Sequence, residues 1–175
     1  MQSDTNAKRG VCRTIDYLAR LCRHWGGALV LMMESEFRAL PFADRKSNGL
    51  TQAPDGDHAI DWPHRRVIAI ETAVNPGALI HEMGHSFLHE GAPKTTDETD
   101  WLGWEIALAR RARCYQIWSK QNADYELGDI CGLGGVAWGI LTATEQRRVI
   151  AERINHAMTL GIVSQDGVPL CTRRS

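Results

Sequence analysis

The stretch ALIHEMGHSFLHE, residues 78–90, constrains this chain more than any other part of it. It holds His81-Glu82-Met83-Gly84-His85, an HExxH motif, with His89 four residues further on. On an α-helix, residues i and i+4 share a face about one turn apart. Two imidazole nitrogens at that spacing can converge on one ion at about 2.0–2.1 Å, the length of a zinc–histidine bond. Glu82 stands about 100° around the helix from His81. From there its carboxylate can accept a proton from a water that the metal activates, without being a ligand itself. Gly84 lets another backbone or a substrate come close. The motif therefore demands a helix with a second, apolar side, and Leu79, Ile80, Met83 and Phe87 provide one. The plain alternative is a solvated helix that carries the pentapeptide by chance. The surrounding pattern, a strand and then an apolar helix, favours the metal.

A catalytic zinc takes three protein ligands and keeps one position open. Residues 101–120, WLGWEIALARRARCYQIWSK, read as one long amphipathic helix. Trp101, Trp104, Leu108, Ala112 and Tyr115 form its apolar stripe, and Glu105 falls within it. A carboxylate on a buried face is costly unless it is paired or binds a metal. Glu105 is therefore the expected third ligand, and the plain alternative is that it pairs with a buried arginine or edges into solvent. Asp97, Glu98 and Asp100 are rivals that read more simply as acids at a helix N-terminus. His89 is another rival, but it lies two turns past His81, roughly 12 Å along the axis. It reads as a wall of the cleft or as a polar helix end.

The rest of the chain sets limits. The formal net charge is -1, so nothing draws the whole molecule to nucleic acid or anionic lipid. The runs Arg110, Arg111, Arg113 and Arg147, Arg148 read as solvated helix faces. The five cysteines are scattered and odd in number, and no CxxC occurs. That speaks against a thiolate zinc knuckle or a disulfide framework, and for a reducing compartment. The polar start MQSDTNAKRG has no apolar stretch behind it. No run approaches the roughly 20 apolar residues of a membrane span. The expectation is a cytoplasmic protein with no membrane partner and no direct nucleic-acid binding.

Along the chain, residues 1–10 read as a flexible tail and 11–175 as a single domain. A helix over 12–25 shows Ile15, Leu18, Cys22 and Trp25 at helical spacing and stops at Gly26-Gly27. Strands are expected over 28–34, 57–62 and 66–71, with 43–57 turn-rich around Asn48-Gly49 and Asp55-Gly56. Asn75-Pro76 opens the motif helix, which should end near Gly91. A last helix starts at the capping-box pair Thr142 and Glu145 and stops at Gly161. The final dozen residues read as irregular. GLGGVA, 132–137, matches a dinucleotide-binding fingerprint only nominally and reads as a loop. The fold class is α+β: a small twisted sheet packs against the motif helix, and the helices 12–25, 101–120 and 143–160 complete the core. Trp101, Trp104 and Trp118 should fix the glutamate helix, and Trp138 should be core.

RVIAIETAVNPGALIHEMGHSFLHE, 66–90, resembles the strand–turn–helix core of ImmA/IrrE-type metallopeptidases. WEIALARR, 104–111, resembles their second helix, whose glutamate completes the zinc site. The resemblance covers about residues 60–115. It implies a minimal zincin-like domain, Zn²⁺ as cofactor, His81, His85 and Glu105 as ligands, and Glu82 as the catalytic base. The family's members are small gluzincin-like proteases of the bacterial cytoplasm, several of which cleave a DNA-binding repressor. The chain as a whole also resembles small phage-encoded or actinobacterial proteins of this type. A deformylase-like site would need a cysteine ligand upstream, and a SprT-like protein usually brings a cysteine zinc ribbon; neither is present.

The expected activity is hydrolysis of a peptide bond in a protein or peptide substrate, such as a repressor. Tyr125, His89 and His156 are candidates for the donor that stabilises the transition state. The strand RVIAIE can receive substrate as an added strand. Two other readings stand beside this one. One is a metal-containing binding module that regulates a partner protein without catalysis. The other is a zinc hydrolase acting on a small amide, which a closed pocket would favour.

Overall fold

A computed structural model of the chain describes residues 3–40, 49–52, 65–71, 73–88, 98–122 and 138–171. It mixes helix and strand, consistent with α+β, and its residues fall into two compact units, Met1–Ser86 with Ser175, and Phe87–Arg174.

The first unit opens with α1, Ser3–His24. Residues 3–10, read from the sequence as tail, are its first turns. Their polar composition hides a helix because the apolar stripe starts only further on. Leu18 and Cys22 are buried one turn apart, and α1 packs on β1, Gly27–Met32. Gly26 ends the helix at φ 79°, a left-handed conformation that costs glycine little. After β1 come α2, Glu34–Arg38, then β2, Gly49–Gln52, and β3, Arg65–Ile70. The three strands form one mixed sheet in the order β1-β3-β2, with β1 parallel and β2 antiparallel to β3. β2 lies inside the stretch that reads as turn-rich, and the strand expected over 57–62 falls outside the described residues.

β3 holds the centre of the sheet, and Val67, Ile68, Ala69 and Ile70 are all buried. A strand covered on both faces reads as a continuous apolar run. Period two places Ile68 and Ile70 on one face, where they pack with Val30, Met32 and Leu40 around Phe37 of α2. The central place of β3 also corrects one expectation. RVIAIE is hydrogen-bonded to a strand on each side, so no further strand can be added to it.

α3, Pro76–Leu88, carries the motif. It starts where the sequence indicates. The Asn75 side-chain oxygen accepts the Ala78 N–H at 2.8 Å, and Pro76 occupies the first turn, where its missing N–H costs nothing.

The second unit is built on α4, Glu98–Arg111. Every residue from Trp101 to Ala109 is buried, the mark of a helix covered on all sides. α4 packs against α5, Tyr115–Asn122, and α6, Ala143–Thr159. At Gly103 an added Cβ would lie 2.0 Å from the Arg153 carbonyl oxygen and 2.9 Å from the Ala157 Cβ. The absent side chain is what lets α4 and α6 cross so closely.

The sequence predicts one helix over 101–120, and the structure breaks it. Arg113 takes a left-handed φ of 57°. The Cys114 N–H bonds to the Ala109 carbonyl at 2.9 Å and the Arg113 N–H to the Arg110 carbonyl at 3.0 Å. That pair of bonds is a Schellman cap. It closes α4 and sends α5 off in a new direction. The same pair closes α6 through Gly161, φ 74°, with Ile162 bonded to Ala157 and Gly161 to Met158. α6 starts at the expected capping box: Thr142 N–H donates to Glu145 Oε2 at 2.7 Å, and Glu145 N–H donates to Thr142 Oγ1 at 3.3 Å.

The C-terminal stretch is more ordered than its irregular reading suggests. Ile162–Leu170 doubles back through a Val163–Pro169 bridge and a turn at Gly167. The Trp104 indole donates to the Leu170 carbonyl at 2.9 Å and ties this loop to α4. Trp101, Trp104, Trp118 and Trp138 are all buried, as their spacing indicates. No described helix is long and apolar enough to cross a membrane.

Candidate metal centre

α3 is buried almost all round. Within Pro76–Leu88 only Ala78, His81, Glu82 and His85 keep partial exposure. Those positions are i, i+3, i+4 and i+7, one stripe of a helix. The remaining residues, among them Leu79, Ile80, Met83, Phe87 and Leu88, are buried. His81, Glu82 and His85 thus share the one incompletely covered face of α3, with a small Ala78 a turn above His81 and Glu82. The apolar spacing in the sequence already implied this split.

The two histidines meet. Their Nε2 atoms lie 3.1 Å apart, and the rings sit edge to face with centroids 4.7 Å apart and planes at 81°. An ion about 2.0–2.1 Å from both nitrogens would subtend roughly 100° on that base, close to tetrahedral. The same distance suits an N–H···N bond between two neutral rings when one carries its proton on Nε2. The separation is thus compatible with a shared proton or with a shared metal. Histidine donors suit zinc rather than magnesium or calcium, which take oxygen ligands.

Glu105 lies in the second unit, on α4, with no exposed surface at all. The Trp118 indole donates to its Oε2 at 3.2 Å. Trp118 is itself fully buried and stacks on Tyr115, centroids 5.9 Å apart at 29°. Burial pushes the Tyr115 phenol up, and the neighbouring Arg110 guanidinium, 5.5 Å from the ring centre, works against that. Sequence reading marked Trp118 as a packing residue and missed its bond to Glu105. No sequence signal pairs residues 13 positions apart when the helix looks continuous.

Among the rivals for the third ligand, Asp100 is engaged elsewhere. Its Oδ1 is 2.8 Å from His156 Nε2, joining α4 to α6. His156 is the half-exposed residue of the last helix that the sequence suggests. Glu98 is the first residue of α4, while His89, Asp97 and Tyr125 lie outside the described residues, as does 132–137. Among the described residues, no three of His, Cys, Asp and Glu are grouped so as to hold a metal ion. What the structure brings together is the His81–His85 pair with Glu82 beside it, and, in the other unit, the Glu105–Trp118 pair. Cys12, Cys22 and Cys114 are free thiols. In comparisons with known proteins, no family model matches the chain, and no curated protein or solved structure matches it either.

Proposed function

We propose that this chain is a zinc-dependent endopeptidase of the ImmA/IrrE type, cleaving a peptide bond in a protein substrate such as a repressor. The observation that carries the reading is the α3 face, where His81, Glu82 and His85 share the one partly exposed stripe with imidazole nitrogens 3.1 Å apart. His81 and His85 are two of the ligands, and Glu105 is the third. Bound zinc supplies a Lewis acid that polarises the scissile carbonyl and lowers the pKa of water.

The proton traffic belongs to Glu82. It accepts a proton from the attacking water as the new C–O bond forms, then delivers it to the leaving nitrogen as the C–N bond breaks. His81 and His85 must stay neutral at their metal-facing nitrogens, so acid competes with the metal for the pair. An extended substrate that pairs with the sheet must use β1 or β2, because β3 has neighbours on both sides.

The test is cleavage of a peptide library, read by mass spectrometry with zinc present, for wild type and Glu82→Gln. Wild type should cut, and the variant should keep its zinc while losing about 10²-fold or more of the rate. Cutting by both at the same rate would remove Glu82 as the base, and cutting by neither, with zinc bound in both, would leave a metal-containing binding module.

A further inference from the structure

We propose that the arginine-rich end of the α4–α6 pair is a docking surface for the phosphate backbone of duplex DNA. This surface lies wholly within the second unit and is independent of the metal reading. In the sequence, Arg110, Arg111, Arg113 and Arg147, Arg148 are two separate runs, each of which reads as a solvated helix face. The structure places both runs at one end of the helix pair. Gly103 meets Arg153 and Ala157, and Asp100 meets His156, so α4 and α6 run antiparallel. Arg110 lies beyond that crossing on α4, and Arg147 lies on α6 before it. At 1.5 Å per residue both stand about 10 Å from the crossing, on the same side of it. All five arginines are exposed. The whole-chain charge of -1 hides this end, because Glu98 and Asp100 stand at the opposite end of α4.

The fold makes little use of these charges. Among the described residues, Arg111 and Arg113 have no acidic partner. Arg147 donates to the Thr144 hydroxyl at 3.2 Å, which leaves its charge uncompensated. Arg148 lies 3.8 Å from Glu152, with the two side chains 72% and 66% exposed, and so open an ion pair is worth little. The carboxylate of Glu145 is held first by Thr142, with Arg148 a lesser influence. Helix electrostatics do not call for the second run either. Arg147 and Arg148 fall in the second turn of α6, towards its positive end, where a cation gains nothing. Arg113 carries the argument furthest. It holds a left-handed φ of 57° at a cap where glycine fits best. Strained choices of this kind concentrate where a side chain has a use, and this side chain is exposed.

The chemistry selects the partner. A guanidinium is a planar fork that matches phosphate oxygens and keeps its charge at every working pH. Single-stranded nucleic acid is gripped by open aromatic faces. The aromatic ring at this end, Tyr115, has Trp118 stacked against it and the Arg110 guanidinium 5.5 Å from its centre, so its faces are taken. A lipid surface takes basic residues together with a broad apolar face. Ile140, just before α6, is a single exposed aliphatic and makes no such face. A regular row of phosphates suits arginines that bring charge and no base-reading platform, and such contacts bind without regard to sequence.

The experiment uses the full chain and a fluorescein-labelled DNA duplex of mixed sequence, with binding read by anisotropy. Wild type should bind with a Kd of about 10⁻⁴–10⁻⁶ M near physiological salt, and about 100-fold more weakly at 200 mM than at 50 mM, as roughly four phosphate contacts require. Arg113→Gly should bind about eightfold more weakly at 0.1 M salt, one phosphate's share of a salt slope taken from 1 M. The same variant should unfold at a higher urea concentration than wild type, because glycine relieves the backbone there. Weaker binding by a more stable protein is a result that a merely structural arginine does not give. Arg111→Ser with Arg147→Ser should flatten the salt slope by about 2. Arg20→Ser, on the exposed side of α1 in the other unit, should bind as wild type does. No binding by wild type at 50 mM salt, or binding that Arg113→Gly and the double variant leave unchanged, overturns the proposal. Displacement of the duplex by polyglutamate or by phosphatidylserine vesicles at equal charge concentration also overturns it, in favour of an acidic protein segment or a lipid surface.

Discussion

Placing alanine at Gly103 tests the packing of the second unit at its tightest point. The new Cβ would lie 2.0 Å from the Arg153 carbonyl oxygen, 2.5 Å from its carbon and 2.9 Å from the Ala157 Cβ. Ordinary contact is about 3.5–4.0 Å, and two of these three atoms are backbone of α6, which cannot swing aside. α4 and α6 must therefore separate locally, by roughly 1–1.5 Å on that contact scale. Overpacking costs about 1–3 kcal/mol, and a backbone obstacle puts this site near 3. Alanine's better helix propensity returns about 1 kcal/mol. The net loss is about 2 kcal/mol, which in a chain of this size lowers Tm by about 4–8 °C. Gly10 is the control. It also lies inside a helix, but an added Cβ there meets no atom within 4 Å, so Gly10→Ala should stabilise by about 1 kcal/mol. Urea unfolding followed by tryptophan fluorescence reads both. Gly103→Ala matching Gly10→Ala in sign would refute the close crossing of α4 and α6.

Arg113→Gly should stabilise by about 0.5–1 kcal/mol in the same assay, since glycine relieves the left-handed φ of 57°, whereas Gly161→Ala should cost about 1 kcal/mol at the matching position of α6. Hydrogen bonds from the Thr142 hydroxyl and N–H hold the Glu145 carboxyl below its ordinary range. A depressed folded pKa means that the charged group helps the fold above its unfolded pKa, and that this help fades as pH falls through the folded one. The stability gap between wild type and Glu145→Gln, measured from neutral pH into acid, should therefore close below about pH 4.5, the unfolded value. Burial pushes the Cys22 thiol up to about 12 and the Cys114 thiol up to about 11. Thiol labelling of the native protein at pH 8, mapped by peptide mass, should mark the exposed Cys12 and spare Cys22 and Cys114 until the chain is unfolded.

Features written in local spacing were legible from the sequence. The α3 stripe of His81, Glu82 and His85 follows from the 3.6-residue period, and the ends of α1 and α6 follow from Gly26 and Gly161. Asn75 and Thr142 announce their helices by capping chemistry. The break at Arg113 was not legible, because its Schellman cap uses arginine where glycine is the usual signal, and the apolar stripe runs on across it. The Trp118–Glu105 bond was hidden for the same reason. β2 was missed because Gly49 follows Asn48 in a turn signature, and four residues are too few to show alternation. Strand order is set by tertiary packing rather than by any one strand's composition, so RVIAIE read as able to take an added strand although its continuous apolar run favours the centre.

The central proposal is that the paired imidazoles of His81 and His85 bind zinc, with Glu105 as the third ligand to which the sequence leads. Elemental mass spectrometry of the purified protein, with His85→Ala and Glu105→Ala beside it, tests this most directly. Close to one zinc per wild-type chain, lost in both variants, is the expected result. A well-folded wild type that takes up no zinc, even after zinc is added back, would contradict it.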